Sequence, residues 1–65
     1  MEGWVVVFSC DNLFRAELAR QHLSNDGIEA IVVNKKDSFY VTIGDVEVYV
    51  ASEDAEAATD LLKDF

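Results

Sequence analysis

Sixty-five residues make one small domain, 1–65, and a chain this short buries only about 60% of the surface it exposes when unfolded, so its core must be efficient or supplemented by assembly. About half the residues are apolar, none is proline and only one is cysteine, which excludes a disordered chain, an internal disulfide framework and a Cys-x-x-Cys zinc staple. Thirteen acids against five bases give a net charge of −8, which repels phosphate backbones and anionic lipid alike, so neither nucleic acid nor membrane is an expected partner.

Met1-Glu2-Gly3 carries no basic leader, and the apolar run from Trp4 to Phe8 is too short for a signal core or a membrane span. The expected location is the cytoplasm. That run, rich in β-branched and aromatic residues, reads as a first strand. Asp11 or Asn12 then caps a helix reaching to about Asp26, where Gly27 supplies the left-handed residue that ends it. At 100° per residue Phe14, Ala16, Leu18, Ala19, His22 and Leu23 fall on one broad arc, with Glu17, Arg20, Gln21 and Ser24 opposite.

A second strand spans Ile28 to Val33, followed by a polar loop from Asn34 to Ser38. A third, Phe39 to Ile43, meets a fourth, Val46 to Ala51, across Gly44-Asp45, a pair that fits a type II′ or I′ hairpin turn. Ser52 caps a closing helix whose first turn holds Glu53 and Asp54, favourable beside the positive end of the helix dipole. Ala55, Ala58, Leu61, Leu62 and Phe65 share its apolar face.

The expected fold is therefore α+β: a ferredoxin-like βαβββα two-layer sandwich with two helices on one face of a mostly antiparallel sheet. Strand order stays open at this level. Alternation puts Phe39, Val41, Ile43, Val46, Val48 and Val50 on one side of the hairpin and Tyr40, Thr42, Glu47 and Tyr49 on the other. With Ile31, Val33 and part of the first strand, Tyr40 and Tyr49 make an open face more apolar than a small monomer leaves in water. That face is the candidate interface for a homodimer or a protein partner; the competing reading is scattered surface apolars or a bent edge strand.

Ser9-Cys10-Asp11-Asn12 invites a nucleophile reading, because a helix N-terminus favours thiolate. Its base is missing: His22, the only histidine, lies ten residues beyond Asn12, about 15 Å along a helix. Asp11 next door would raise the thiol pKa rather than lower it. A half-buried Cys10 beside a capping residue is the preferred account. No second histidine or cysteine stands at ligand spacing from His22, so no metal is expected and no cofactor is implied. Lys35 and Lys36 could contact an anionic effector, against the stronger reading of a solvated loop tip.

Phe8, Asn12, Phe14-x-Ala16-x-Leu18-Ala19-x-x-x-Leu23, Gly27-Ile28, Gly44-x-Val46-x-Val48-x-Val50 and Glu53-Asp54-Ala55, in this order, resemble the small family named "putative prokaryotic signal-transducing proteins". The resemblance spans nearly the whole chain and implies a PII-like ferredoxin fold and a bacterial regulatory role. Relatives often have proline where this chain has Leu13 and near Ala51-Ser52, a longer connection before the Gly44 hairpin, and an appended cysteine-rich ribbon. The family offers no catalytic motif to carry over.

The expected function is thus a non-enzymatic regulatory or protein-interaction module, self-associating through the open sheet face, with a small effector as a further ligand. The alternative is a small acyl-phosphatase-like enzyme using the 9–12 loop, which would want an anion-binding arginine where this loop supplies an acid. RNA-recognition chemistry is set aside, since the aromatic sheet lacks both the basic residues and the signature.

Overall fold

Strand β1 runs from Trp4 to Cys10, two residues beyond the apolar run, in a computed structural model of the chain that describes residues 2–35 and 45–65. Helix α1, Leu13–Asn25, follows. Of the two candidate caps Asn12 does the capping: its side-chain oxygen accepts from Phe14 N–H at 2.8 Å and from Arg15 N–H at 3.3 Å. Gly27, at φ +82°, ends the helix as predicted. Its N–H donates to Ser24 O and that of Ile28 to Leu23 O, both at 3.0 Å, the two bonds of a Schellman cap. Ile28 is thereby spent on the cap, with its side chain buried, and strand β2 is Ala30–Asn34 rather than 28–33.

Strand β3, Val46–Ala51, has the predicted bounds. It lies between the other two and is antiparallel to both, in the order β1-β3-β2. Strands β1 and β2 therefore run parallel to each other, joined by α1 across an intervening strand. The expected hairpin across Gly44-Asp45 falls on residues 39–44, outside the described residues. Both edges of Val46–Ala51 are occupied, and the neighbour on the connected side is β2, in unbroken register from Ala30↔Val50 to Asn34↔Val46. That register aligns Ala30 and Val32 with Val50 and Val48 on the buried side, so one ladder extends the apolar layer by two rows. The expected strand at 39–43, Tyr40 included, lies outside the described residues, as do Lys36 and Gly44.

After β3 the chain tightens into a 3₁₀ turn, Ser52–Asp54, and then α2, Ala55–Leu61. Ser52 makes no side-chain cap, contrary to expectation. Its backbone N–H donates instead to Gly3 O at 2.8 Å, so the residue still belongs to the sheet when the helical turn begins. Glu53 and Asp54 do sit in that first turn.

Val46, Val48 and Val50 are fully buried against Ala16, Ala19, Leu23 and Ala58, so both helices cover one face of the sheet. Phe8, Cys10, Leu61, Leu62 and Phe65 pack around this cluster. Among the described residues the architecture is a two-layer α+β sandwich of three antiparallel strands and two helices, consistent with ferredoxin-like layering. The arc expected to be buried on α1 is too broad. Phe14 is 71% and Leu18 41% exposed. The small side chains of Ala16 and Ala19 let the helix lie close to the sheet, while its flank toward α2 is taken by Arg15 and His22 rather than by the larger apolar residues. Arg15 donates from Nη2 to Phe65 O at 3.1 Å and sits over the rings of Phe8 and Phe65. His22 Nε2 donates to Leu61 O at 3.0 Å. Phe8 and Phe65 meet edge to face at 5.5 Å, completing a seam between β1, α1 and the end of α2.

Candidate functional site

The face of the sheet opposite the helices is built by strand parity. On β3, Glu47, Tyr49 and Ala51 point away from the buried valines, and the register sets Val33 beside Glu47 and Ile31 beside Tyr49. On the other side of β3, Val6 opposes Tyr49 and Trp4 opposes Ala51. A bulge between Val6 and Phe8 then inserts Val7 without a partner. Without it Val6 and Phe8 would share a face; with it Val6 stays on the open side while Phe8 joins the core against Val48. This is the feature that sequence alternation could not supply, because five consecutive apolar residues carry no parity of their own.

The register thus brings Ile31, Val33 and Tyr49 of the expected interface together and adds Trp4 and Val6 to them. Val6 is 46% exposed, and Trp4, Ile31, Val33 and Tyr49 are half-buried. Tyr40 is outside the described residues.

Polar contacts on this face converge on Glu47. Lys35 Nζ approaches Glu47 Oε1 at 2.8 Å, and Tyr49 O–H donates to the same oxygen at 2.9 Å. The hydrogen bond from Lys35, then that from Tyr49, hold the Glu47 carboxyl below the usual carboxylate range. In return the bonds to Glu47 raise the Lys35 ammonium and the Tyr49 phenol above theirs. Lys35 is therefore an ion-pair partner within the chain, and its companion Lys36 is outside the described residues. Sequence reading left Glu47 out of the site; the signal that could have found it is an acid facing Val33, two residues before Lys35 and on the same face, visible only once β2 and β3 are in register.

The 9–12 loop has a structural occupation. Asn12 is committed to the α1 cap, and Cys10 Sγ donates to Asn12 O at 3.1 Å, a bond that needs the protonated thiol. His22 is engaged at Leu61. Among the described residues no pocket opens and no cluster of three or more His, Cys, Asp and Glu side chains is placed to hold a metal. No described helix is long and apolar enough to cross a membrane.

What decides the affiliation is a family model described as "putative prokaryotic signal transducing protein", which matches residues 4–65. The chain belongs to this family. The match begins at Trp4 and takes in β1, α1, β2, β3 and α2, so it covers the whole described sandwich. No curated protein and no solved structure matches the chain. The family description names a signalling role and no ligand, partner or reaction.

Proposed function

We propose that this family member is a non-enzymatic regulatory or protein-interaction module, and that it associates, with a second copy or a partner protein, through the open sheet face. The observation that carries this reading is the placement of Trp4, Val6, Ile31, Val33 and Tyr49 together on the face that neither helix covers. The central ion pair supports it. With Lys35 closed onto Glu47, this ion pair adds no net charge to the apolar residues around it, on a chain whose overall charge is −8.

An acyl-phosphatase-like enzyme is less well supported, since Asn12 and Cys10 are both tied to the start of α1. Lys35, spent on Glu47, makes a weak effector cation. The experiment is sedimentation velocity of the wild type and of Tyr49→Lys across a wide concentration range, with circular dichroism to verify the fold. A charge at the centre of the face should lower the assembly mass. An unchanged mass and unchanged concentration dependence would refute the open-face reading.

A further inference from the structure

We propose that the outer side of the helical layer is a docking surface for a partner protein that offers a cationic amphipathic segment, with Phe14 and Leu18 as the apolar anchors. This surface lies on the other side of the sandwich from the open sheet face and stands independently of that reading.

On α1 the buried stripe is Ala16, Ala19 and Leu23. Helical spacing sets Phe14 and Leu18 across the helix from that stripe, one turn apart and turned away from the sheet. Phe14 is 71% exposed, Leu13 beside it 45% and Leu18 41%. The other large apolar side chains that the described residues leave in solvent, Val5 and Val6, lie on β1, so the exposed apolar surface of the helical layer is gathered on one helix. A helix that served only to cover the sheet would be better placed in water with polar residues at those positions.

The surrounding charge decides the kind of partner. The helical segments 11–26 and 52–65 hold eight acids against three bases, a net −5 of the chain's −8. Asp11 and Glu17 fall about one turn before and after Phe14, and Glu56 and Asp60 lie on the side of α2 opposite its buried Ala58, all four exposed. The three bases are already engaged: Arg20 on Glu17 at 2.9 Å, Lys63 on Asp60 at 3.7 Å, and Arg15 on Phe65 O and over the rings of Phe8 and Phe65. A second copy would therefore bring acids against acids, with no base left over to meet them. The same field repels nucleic acid and anionic lipid. Nor are the acids gathered for a metal, since among the described residues no three ligating side chains converge. Spread along two helices around an apolar pair, they fit lysines and arginines spread along a segment whose apolar side meets Phe14 and Leu18.

The probe is a synthetic amphipathic peptide with leucines on one helical face and lysines on the other, titrated into the full chain and followed by amide chemical shifts, with the glutamate version of the same peptide as control. The lysine peptide should shift amides of α1 and α2, leave those of Ile31, Val33 and Tyr49 in place, and bind more weakly as salt rises. The glutamate peptide should not bind. Phe14→Ser combined with Leu18→Ser, both at exposed positions, should weaken binding about tenfold at unchanged circular dichroism. Glu56→Lys combined with Asp60→Lys should weaken it through charge alone, whereas Val6→Ser on the sheet side should leave it unchanged. Absence of binding overturns the proposal, and so does an affinity indifferent to Phe14 and Leu18, which would reduce the contact to unspecific charge attraction. Shifts centred on Ile31 and Tyr49 would overturn it by assigning the peptide to the open face. A mass that rises with concentration and falls on Phe14→Ser would overturn it by making the occupant a second copy.

Discussion

Two leucines on α1, five residues apart, offer the sharpest check on how this domain is held together. Leu23 is fully buried beneath the Schellman cap, whereas Leu18 is 41% exposed. Truncating Leu23 to alanine removes a complete core side chain and leaves a cavity between α1 and β3, a change that costs about 2–5 kcal/mol. A 65-residue domain has a total stability of roughly 3–10 kcal/mol. With an unfolding entropy of about 2.1 cal/mol/K per residue, a loss of about 3 kcal/mol lowers Tm by about 20 °C. The same truncation at Leu18 leaves no cavity, gains alanine's helix propensity, and should cost about 1 kcal/mol or less. Thermal and urea unfolding of the two variants side by side measure the difference. Equal losses would refute the assignment of Ala16, Ala19 and Leu23 as the buried stripe and restore the broader arc that includes Leu18.

Asn12→Ala should destabilise the fold by about 1 kcal/mol while Asn12→Asp stays close to wild type, because both bonds at the start of α1 end on the side-chain oxygen; urea midpoints decide it. Glu47 should titrate below the ordinary carboxylate range in a carbon-detected NMR titration. A carboxyl whose folded pKa is depressed contributes stability that is present above its unfolded pKa and lost as pH falls through the folded one, so the acid side of the stability profile should steepen there. Lys35→Met should return the Glu47 titration toward the ordinary range and flatten that part of the profile; an unmoved titration would mean that the ion pair does not persist in solution.

Much of the fold was legible in local chemistry. Asn12 and Gly27 bracket α1 because a side-chain acceptor and a positive φ are local requirements that sequence displays directly. The valines of β3 announce their buried side by strict alternation with Glu47 and Tyr49. Legibility fails where the deciding quantity is a relation between distant segments. Nothing local tells Val46–Ala51 that β1 and β2, both distant or unmarked in the sequence pattern, flank it on its two edges. Helical periodicity could not show that α2 would claim the Arg15 and His22 flank and leave Phe14 in solvent. Trp4 and Val6 joined the open face only through the bulge at Val7, and Lys35 became a partner of Glu47 only through the ladder that sets β2 beside β3.

The central strand is also the last of the described strands in the chain. Strands β1 and β2 are not paired with each other, so a nascent chain that has emerged only as far as Lys35 holds two strands without the one that lies between them. Both described ladders wait for Val46–Ala51, and the one with β1 spans most of the chain, from Trp4 to Ala51. Such a domain folds after its synthesis is nearly complete and without a stable half-formed state. Until then, neither β1 nor β2 has the central strand that each pairs with in the finished sheet.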